Sequence, residues 1–223
     1  MATIVNSKTS PEFTSIILKD LYNRNGAQLS VDELMDESLV GKDYSLTGEN
    51  FIRGIPFNLG DVQENNLLFL KDETVTLELD EPLFAHYLVF VHTAVPKRVS
   101  PDEDGITRPA KGRVILGDKV ADYELMYSDG SVQTVPIKRR FAIGEMQRNW
   151  GDECFECVPL TKLVAVPTIT ERMNAGQTPS ESFGTSQTRI SNDSPGLPAN
   201  YWVYALENEH TGKPITGLRF VPS

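Results

Sequence analysis

Two cysteines, Cys154 and Cys157, have the C-x-x-C spacing that occurs in metal sites and in redox-active pairs. A structural zinc site would need a second cysteine pair or two histidines at a matching spacing, and the sequence has neither. A redox pair is favoured by positive surroundings, whereas Asp152, Glu153 and Glu156 place negative charge around these thiols. We therefore interpret the cysteines as incidental thiols or a local disulfide, with metal binding and redox chemistry as the remaining alternatives.

The sequence contains no motif that identifies an enzyme activity. Glycoside hydrolysis requires two carboxylates about 5 to 9 Å apart, but a chain with 31 Asp and Glu residues contains such pairs by chance. A nucleophile elbow, a His-Glu-x-x-His helix and a phosphate-binding loop are all missing from the sequence. A catalytic centre is therefore conceivable only as an Asp/Glu pair that the sequence does not identify.

Strand patterns dominate the elements that would position functional residues. Apolar residues alternate from Thr74 to Leu79 and run almost unbroken from Phe84 to His92, as in a strand buried on both faces or at a sheet centre. Asp129-Gly130 separates two alternating segments and predicts a hairpin with a type I′ turn. Further predicted strands are residues 13–18, 51–59 (an edge strand or bulge), 66–70, 201–206 and 215–221.

One short helix is predicted near the N-terminus. Ser30 and Glu33 match a capping box, which would begin a helix that continues to about Leu39 and ends before Gly41. Many short strands and almost no helix predict an all-β fold, an antiparallel β-sandwich. We expect residues 1–50 to be an irregular extension packed on a sandwich of residues 51–223, with one structural domain overall.

Charge and hydropathy exclude two classes of partner. The formal charge is −10, with 21 Lys and Arg against 31 Asp and Glu, so the chain would repel nucleic acid. No apolar run reaches the 18 residues typical of a membrane-spanning helix. The N-terminus lacks the pattern of a secretory signal, which favours the cytoplasm, or a secreted protein if the chain is a fragment.

An ordered set of motifs resembles one known group of domains. The motifs are GIPF at 54–57, AHYLVFVHTA at 85–94, YELMYSDGS at 123–131, VPI at 135–137, IG at 143–144, WVYALEN at 202–208, KPI at 213–215 and LRF at 218–220. Together they resemble the galactose-binding-like jelly-roll modules of bacterial glycoside hydrolases and related carbohydrate-active enzymes, over residues 51–221. The resemblance implies two facing antiparallel sheets and a non-catalytic role, either binding glycan or bracing the catalytic domain of the same polypeptide.

Four residues are candidates to contact such a ligand. Sugar binding combines flat aromatic faces with a few directed polar groups, and Trp150, in a turn-rich segment, could supply the aromatic face or instead fill the core. Arg139 and Arg140 could bind a sugar or pair with carboxylates, and His92 lies at a strand end. Trp202, in an alternating strand, is predicted to be a core residue.

The resemblance also implies a possible structural calcium, for which Glu207 is the nearest positional match; no cofactor is expected to be required. The expected function is thus a non-catalytic accessory module. The alternatives are a glycoside hydrolase or lyase that uses an unidentified Asp/Glu pair, and a protein–protein interaction domain. An unusually large exposed apolar patch would favour the last of these.

Overall fold

The computed structural model of the chain describes residues 12–61, 63–97, 116–147, 153–160 and 199–223. In these residues the regular structure is mostly antiparallel β, with a single α-helix of four residues, Val31–Leu34 (α1). The prediction of a β-rich chain with one short N-terminal helix is therefore confirmed. None of the helices in this part of the chain is long and apolar enough to cross a membrane.

The strands of the described residues form three antiparallel sheets. Their bounds are Gly48–Ile52 (β1), Ile55–Leu59 (β2), Val75–Leu83 (β3), Tyr87–His92 (β4), Lys119–Tyr127 (β5), Val132–Lys138 (β6), Cys157–Pro159 (β7), Trp202–Glu207 (β8) and Ile215–Pro222 (β9). β1 pairs with β2, a four-stranded sheet has the order β3-β9-β5-β6, and a three-stranded sheet has the order β4-β8-β7. Short one-turn 3₁₀ helices occupy Lys19–Leu21, Gly26–Gln28 and Glu37–Leu39.

Two of the predicted strands, residues 13–18 and 66–70, are wrong. The second segment forms only an isolated bridge, in which the Leu67 carbonyl accepts from the N–H groups of Asn23 and Arg24. Both segments are apolar because they are packed inside the molecule: Ile16, Leu68 and Leu70 contact the buried cluster between the two larger sheets, called the main cluster below. An apolar run of this length therefore reflects burial here, not membership of a sheet.

The capping box that predicts the helix is present in the structure. The Ser30 hydroxyl accepts from the Glu33 N–H, and the Glu33 carboxylate accepts from the Ser30 N–H. The helix is shorter than predicted, because Met35 adopts a left-handed conformation with φ of 57° and ends it after Leu34. Asp36 then caps the separate 3₁₀ turn Glu37–Leu39.

The hairpin between β5 and β6 is at the predicted place, but its turn is not type I′. Gly130 has φ of 80°, whereas Asp129 keeps an ordinary negative φ. The Gly130 N–H donates to the Tyr127 carbonyl at 2.9 Å, and the Tyr127 N–H donates to the Ser131 carbonyl at 3.0 Å. The loop is therefore a three-residue connection, a type I turn followed by a glycine in the left-handed region.

A turn with positive φ at both central residues connects β1 and β2 instead. Arg53 has φ of 53° and Gly54 has φ of 84°, which is the backbone of a type I′ turn. Residues 51–59 are therefore two paired strands rather than the single broken edge strand that the sequence predicts. The predicted boundary between residues 50 and 51 lies within β1.

Side chains from the two larger sheets meet in one buried cluster. It contains Tyr123 and Leu125 of β5, Phe220 of β9, and Trp202 and Leu206 of β8. The opposite face of the three-stranded sheet packs against the N-terminal residues in a second cluster, which includes Leu34, Tyr44, Ile52, Val89, Val91, Tyr201 and Val203. The architecture is thus sandwich-like. Residues 29–59 form a third layer against the three-stranded sheet, which we call the N-terminal layer.

The apolar segment ending at His92 packs on both faces but is less buried than predicted, since only Leu88 is buried, Phe84 and Tyr87 are exposed, and β4 lies at a sheet edge within the described residues. Leu88 and Phe90 of β4 face the main cluster, while Val89 and Val91 face the N-terminal layer. The central strand of that sheet is β8, which is covered on both faces at its start, whereas Ala205 and Glu207 are exposed. Trp202 is almost wholly buried, which confirms its predicted core position.

Candidate functional site

Three of the four predicted ligand-binding residues lie around one loop, residues 139–146, which follows β6. The loop begins as a tight turn in which the Arg140 N–H donates to the Ile143 carbonyl at 2.8 Å. Arg140 itself has φ of 62°, a left-handed conformation that a non-glycine residue adopts only when its surroundings hold it there. The loop is therefore a fixed structure, with an inner side toward the core and an outer side toward solvent.

The inner side of the loop rests on Trp202. The indole Nε1 donates to the Glu145 carbonyl at 3.1 Å. Gly144 lies against the ring so closely that a Cβ atom there would be 2.1 Å from Trp202. The loop is bonded to the segment after β4 through the Ala94 N–H, which donates to the Gly144 carbonyl at 2.9 Å.

His92 contacts the middle of the loop from the side of the core. Its Nε2 lies 3.0 Å from the Ala142 carbonyl, which can only accept, so Nε2 carries the proton and Nδ1 accepts from the Tyr123 hydroxyl at 3.0 Å. The ring stacks on Tyr204 with centroids 6.0 Å apart. Burial lowers the pKa of His92 to about 4, so the imidazole is neutral near pH 7. Both ring nitrogens are engaged, and we leave His92 out of the ligand-contacting set.

Arg139 is likewise engaged inside the molecule. Its Nη1 donates to the Glu145 carboxylate at 2.6 Å and to the Val95 carbonyl at 3.0 Å, and its Nε lies 3.5 Å from the Asp118 carboxylate. Lys97 completes the group through a 2.9 Å ion pair with Asp118. Two cations thus face two carboxylates, and the cluster holds the loop to the segment that follows β4.

The outer side of the loop presents Arg140 and two phenylalanines. The Phe155 N–H donates to the Arg140 carbonyl at 3.0 Å, and the Glu156 N–H donates to the Phe141 carbonyl at 3.1 Å, so the two segments form one surface. The rings of Phe141 and Phe155 lie 5.3 Å apart at 43°. Phe155 is 70% exposed, the largest fraction among the large apolar residues described. We call Arg140, Phe141 and Phe155 the aromatic corner.

The aromatic corner was only partly visible in the sequence. Arg140 is among the predicted contacts, but Phe141 and Phe155 were missed, because neither belongs to a periodic apolar pattern. A signal did exist in the run Cys154-Phe155-Glu156-Cys157, where a large apolar residue sits in an acidic, non-periodic loop. Trp150 lies outside the described residues.

The predicted calcium ligand, Glu207, is exposed at the end of β8, opposite Tyr87 across the sheet. Its backbone carbonyl accepts from the Gln133 side chain at 2.9 Å. In the residues that the structure describes, no three His, Cys, Asp or Glu side chains are grouped as metal ligands would be. The calcium site stays a prediction.

Cys154 and Cys157 are free thiols. The Cys157 side chain belongs to the main core cluster, and Cys154 packs against it. Hydrogen bonding with the Cys154 thiol, followed by burial, raises the pKa of Cys157, so its thiolate is disfavoured. This agrees with the interpretation of incidental thiols and leaves a local disulfide open.

Comparison with known protein families, with curated proteins and with solved structures found no match for this chain.

Proposed function

We propose that this chain is a non-catalytic module that binds a neutral glycan at the aromatic corner, beside the catalytic domain of a carbohydrate-active enzyme. Its fold is then a jelly-roll sandwich of the galactose-binding-like type. Support comes from the two antiparallel sheets that share one core, and from the motif order along residues 51–221. The enzyme context rests on the resemblance alone.

The observation that carries the proposal is the exposed ring of Phe155. An aromatic ring in water gains free energy when the apolar face of a sugar covers it. The ring is also preorganised, because its backbone is bonded to Arg140 and its side chain contacts Phe141. Little conformational entropy is therefore lost when a ligand docks on it.

Arg140 supplies directed hydrogen bonding beside the rings. Its Nε donates to the Glu153 carbonyl at 3.4 Å, two residues before Phe155 in the sequence. A guanidinium has five N–H donors in a fixed fork and can serve several acceptors, sugar hydroxyls included. Glu153 and Glu156 are exposed nearby and the chain carries a charge of −10, which favours a neutral over an acidic glycan.

The decisive comparison is Phe155→Ala against Phe84→Ala. Phe84 is 66% exposed before β4, at the far end of that strand from His92, so the two substitutions remove the same ring from two exposed positions. We expect Phe155→Ala to weaken glycan binding at least tenfold, about 1.4 kcal/mol, and Phe84→Ala to leave it unchanged. Affinity electrophoresis in a panel of neutral and acidic polysaccharides would find the ligand, and calorimetric titration would measure it.

Both variants are exposed-side-chain changes and should keep the wild-type circular dichroism and melting temperature. Arg140→Lys tests the polar half of the site and should weaken binding less than Phe155→Ala, since charge is kept and the planar fork is lost. If the wild-type chain bound none of the polysaccharides in the panel, the proposed function would be ruled out. Loss of binding in Phe84→Ala alone would move the site away from the aromatic corner.

A further inference from the structure

The outer edge of β4 has no strand beside it in the described part of the chain. β4 pairs with β8 on one side only, from Tyr87 opposite Glu207 to His92 opposite Trp202. The Asn208 N–H donates to the His86 carbonyl. Along β4, the backbone N–H and C=O groups of the even-numbered residues therefore point toward β8, and those of the odd-numbered residues point away from it. The N–H and C=O groups of Tyr87, Val89 and Val91 therefore point outward.

The other edges of the two larger sheets carry features that discourage pairing. β3 has Glu78, Asp80, Glu81 and Pro82 and a register irregularity between Glu78 and Leu83. β6 contains Pro136 and Lys138, and β7 has only three residues, the last of them Pro159. Charge, proline, bulges and short length are the usual protections of an edge strand. β4, with the sequence YLVFVH, has none of them.

A cleft of about 1680 Å³ follows this unprotected edge. Every residue from Phe84 to Lys97 lines it, although successive residues of a strand face opposite sides, so the cleft must run along the strand edge. Its other walls include β2 and residues 67–71. The volume exceeds the 300 to 1,000 Å³ or so typical of small-molecule sites.

We propose that the β4 edge binds an extended peptide segment of a partner protein, which adds to the three-stranded sheet as a further strand. The outward N–H and C=O groups of Tyr87, Val89 and Val91 offer hydrogen bonds at the spacing of a β-strand, which an added strand can match and a helix or a glycan cannot. Side chains of the added strand would alternate between the main core cluster and the N-terminal layer. Both environments are apolar, so the segment is apolar on both faces.

Charge distinguishes a foreign segment from a second copy of this chain. Asp32, Asp80 and Glu81 are exposed along the cleft and form no ion pair within the described residues, whereas Lys71 is the one lining cation in the same situation there, so the exposed charge is net acidic. Pairing two copies through β4 would bring these acids together in chains that each carry −10. A partner segment with an apolar centre and flanking Lys or Arg residues complements the cleft.

The test selects peptides on the full chain and then blocks the edge. A phage-displayed library of random 12-residue peptides is selected on the immobilised protein, and the enriched peptide is synthesised and titrated by fluorescence polarisation. Val89→Pro removes an outward N–H without removing a bond to β8. Val132→Pro is the matched control, because its N–H points away from β5 at the edge of the other sheet.

We expect the enriched peptides to be apolar and free of proline, and Val89→Pro to weaken binding at least tenfold while Val132→Pro does not. Tyr87→Pro, at the half-exposed start of the strand, should do the same and covers the case in which Val89→Pro does not fold. Hydrogen exchange should show the amides of Tyr87, Val89 and Val91 exchanging fast in the free chain and slowly with peptide.

Three results would overturn the proposal. The first is slow exchange of these three amides in the free monomer, which would mean that the edge is already paired. The second is a selection that yields no peptide, or only peptides whose affinity Tyr87→Pro and Val89→Pro leave unchanged. The third is a dimer in analytical ultracentrifugation that Val89→Pro abolishes, which would make a second copy the occupant. None of these results bears on glycan binding at the aromatic corner.

Discussion

His92 illustrates how a residue with the chemistry of a site can serve the structure beneath one. Sequence reasoning selects it because an imidazole at a strand end can bind ligands. In the structure its two nitrogens connect β5 to the 139–146 loop, through Tyr123 and Ala142. The ring therefore positions the backbone of Ala142, directly after Arg140 and Phe141, so in the proposed function its role is indirect.

The neutral state of His92 makes stability depend on pH in a defined window. Its pKa is lowered from 6.5 to about 4 on folding, so between these values the unfolded chain binds a proton that the folded chain does not. The stability it contributes is complete above pH 6.5 and declines as the pH falls toward 4, by roughly 3 kcal/mol. Urea unfolding at pH 7 and pH 4.5 measures this loss.

The variant His92→Gln removes the titrating group while keeping a side chain that donates and accepts. It should lower stability at pH 7 and shrink the difference between the two pH values. His86→Gln is the matched change at an exposed histidine and should leave the difference in place, because His92 still supplies it. An undiminished difference in His92→Gln would place the pH dependence in the carboxylates.

Among the elements, the sequence predicts strands well where one face is buried. It predicts structure poorly where a turn or an exposed ring depends on contacts with distant segments. β3 and the β5–β6 hairpin alternate because a single cluster covers one face, so their positions are predictable. β1 and β2 were merged because an Arg-Gly turn is not a usual type I′ pair. The outward rings of Phe141 and Phe155 depend on contacts between distant segments, which no local pattern contains.

The turn between β5 and β6 permits a clean test of backbone strain. Gly130 has φ of 80° and no atom within 4 Å of an added Cβ, so Gly130→Ala is disfavoured by conformation alone. We expect a loss of about 1 kcal/mol in the free energy of unfolding. Gly212→Ala is the control, since its surroundings are equally open and its φ is not positive. It should be neutral or slightly stabilising.

Chemical denaturation of the two alanine variants, read by fluorescence and circular dichroism, compares them directly. If Gly212→Ala loses as much stability as Gly130→Ala, the cause is loss of something other than backbone freedom, and the assignment of a left-handed glycine to this turn is incorrect.

At the scale of the whole molecule, β8 joins two cores. Trp202, Tyr204 and Leu206 face the cluster between the sheets, while Val203, and Tyr201 just before the strand, face the N-terminal layer. The Tyr201 hydroxyl also donates to the Tyr44 carbonyl, which ties that layer to the strand. If either core unfolded alone, the apolar side chains that β8 contributes to that core would be exposed to water. The N-terminal layer and the two sheets should therefore unfold together.

Leu34→Ala and Leu125→Ala test this coupling, because both leucines are fully buried and they lie in different clusters. Each should lower stability by about 2 to 5 kcal/mol. In differential scanning calorimetry each should keep a single transition whose calorimetric and van't Hoff enthalpies agree, shifted to lower temperature. Ile17→Ala, an aliphatic truncation at an exposed position, should shift it little. If Leu34→Ala instead splits off an early transition while the rest melts at the wild-type temperature, the layer is an independent unit and the aromatic corner does not depend on it.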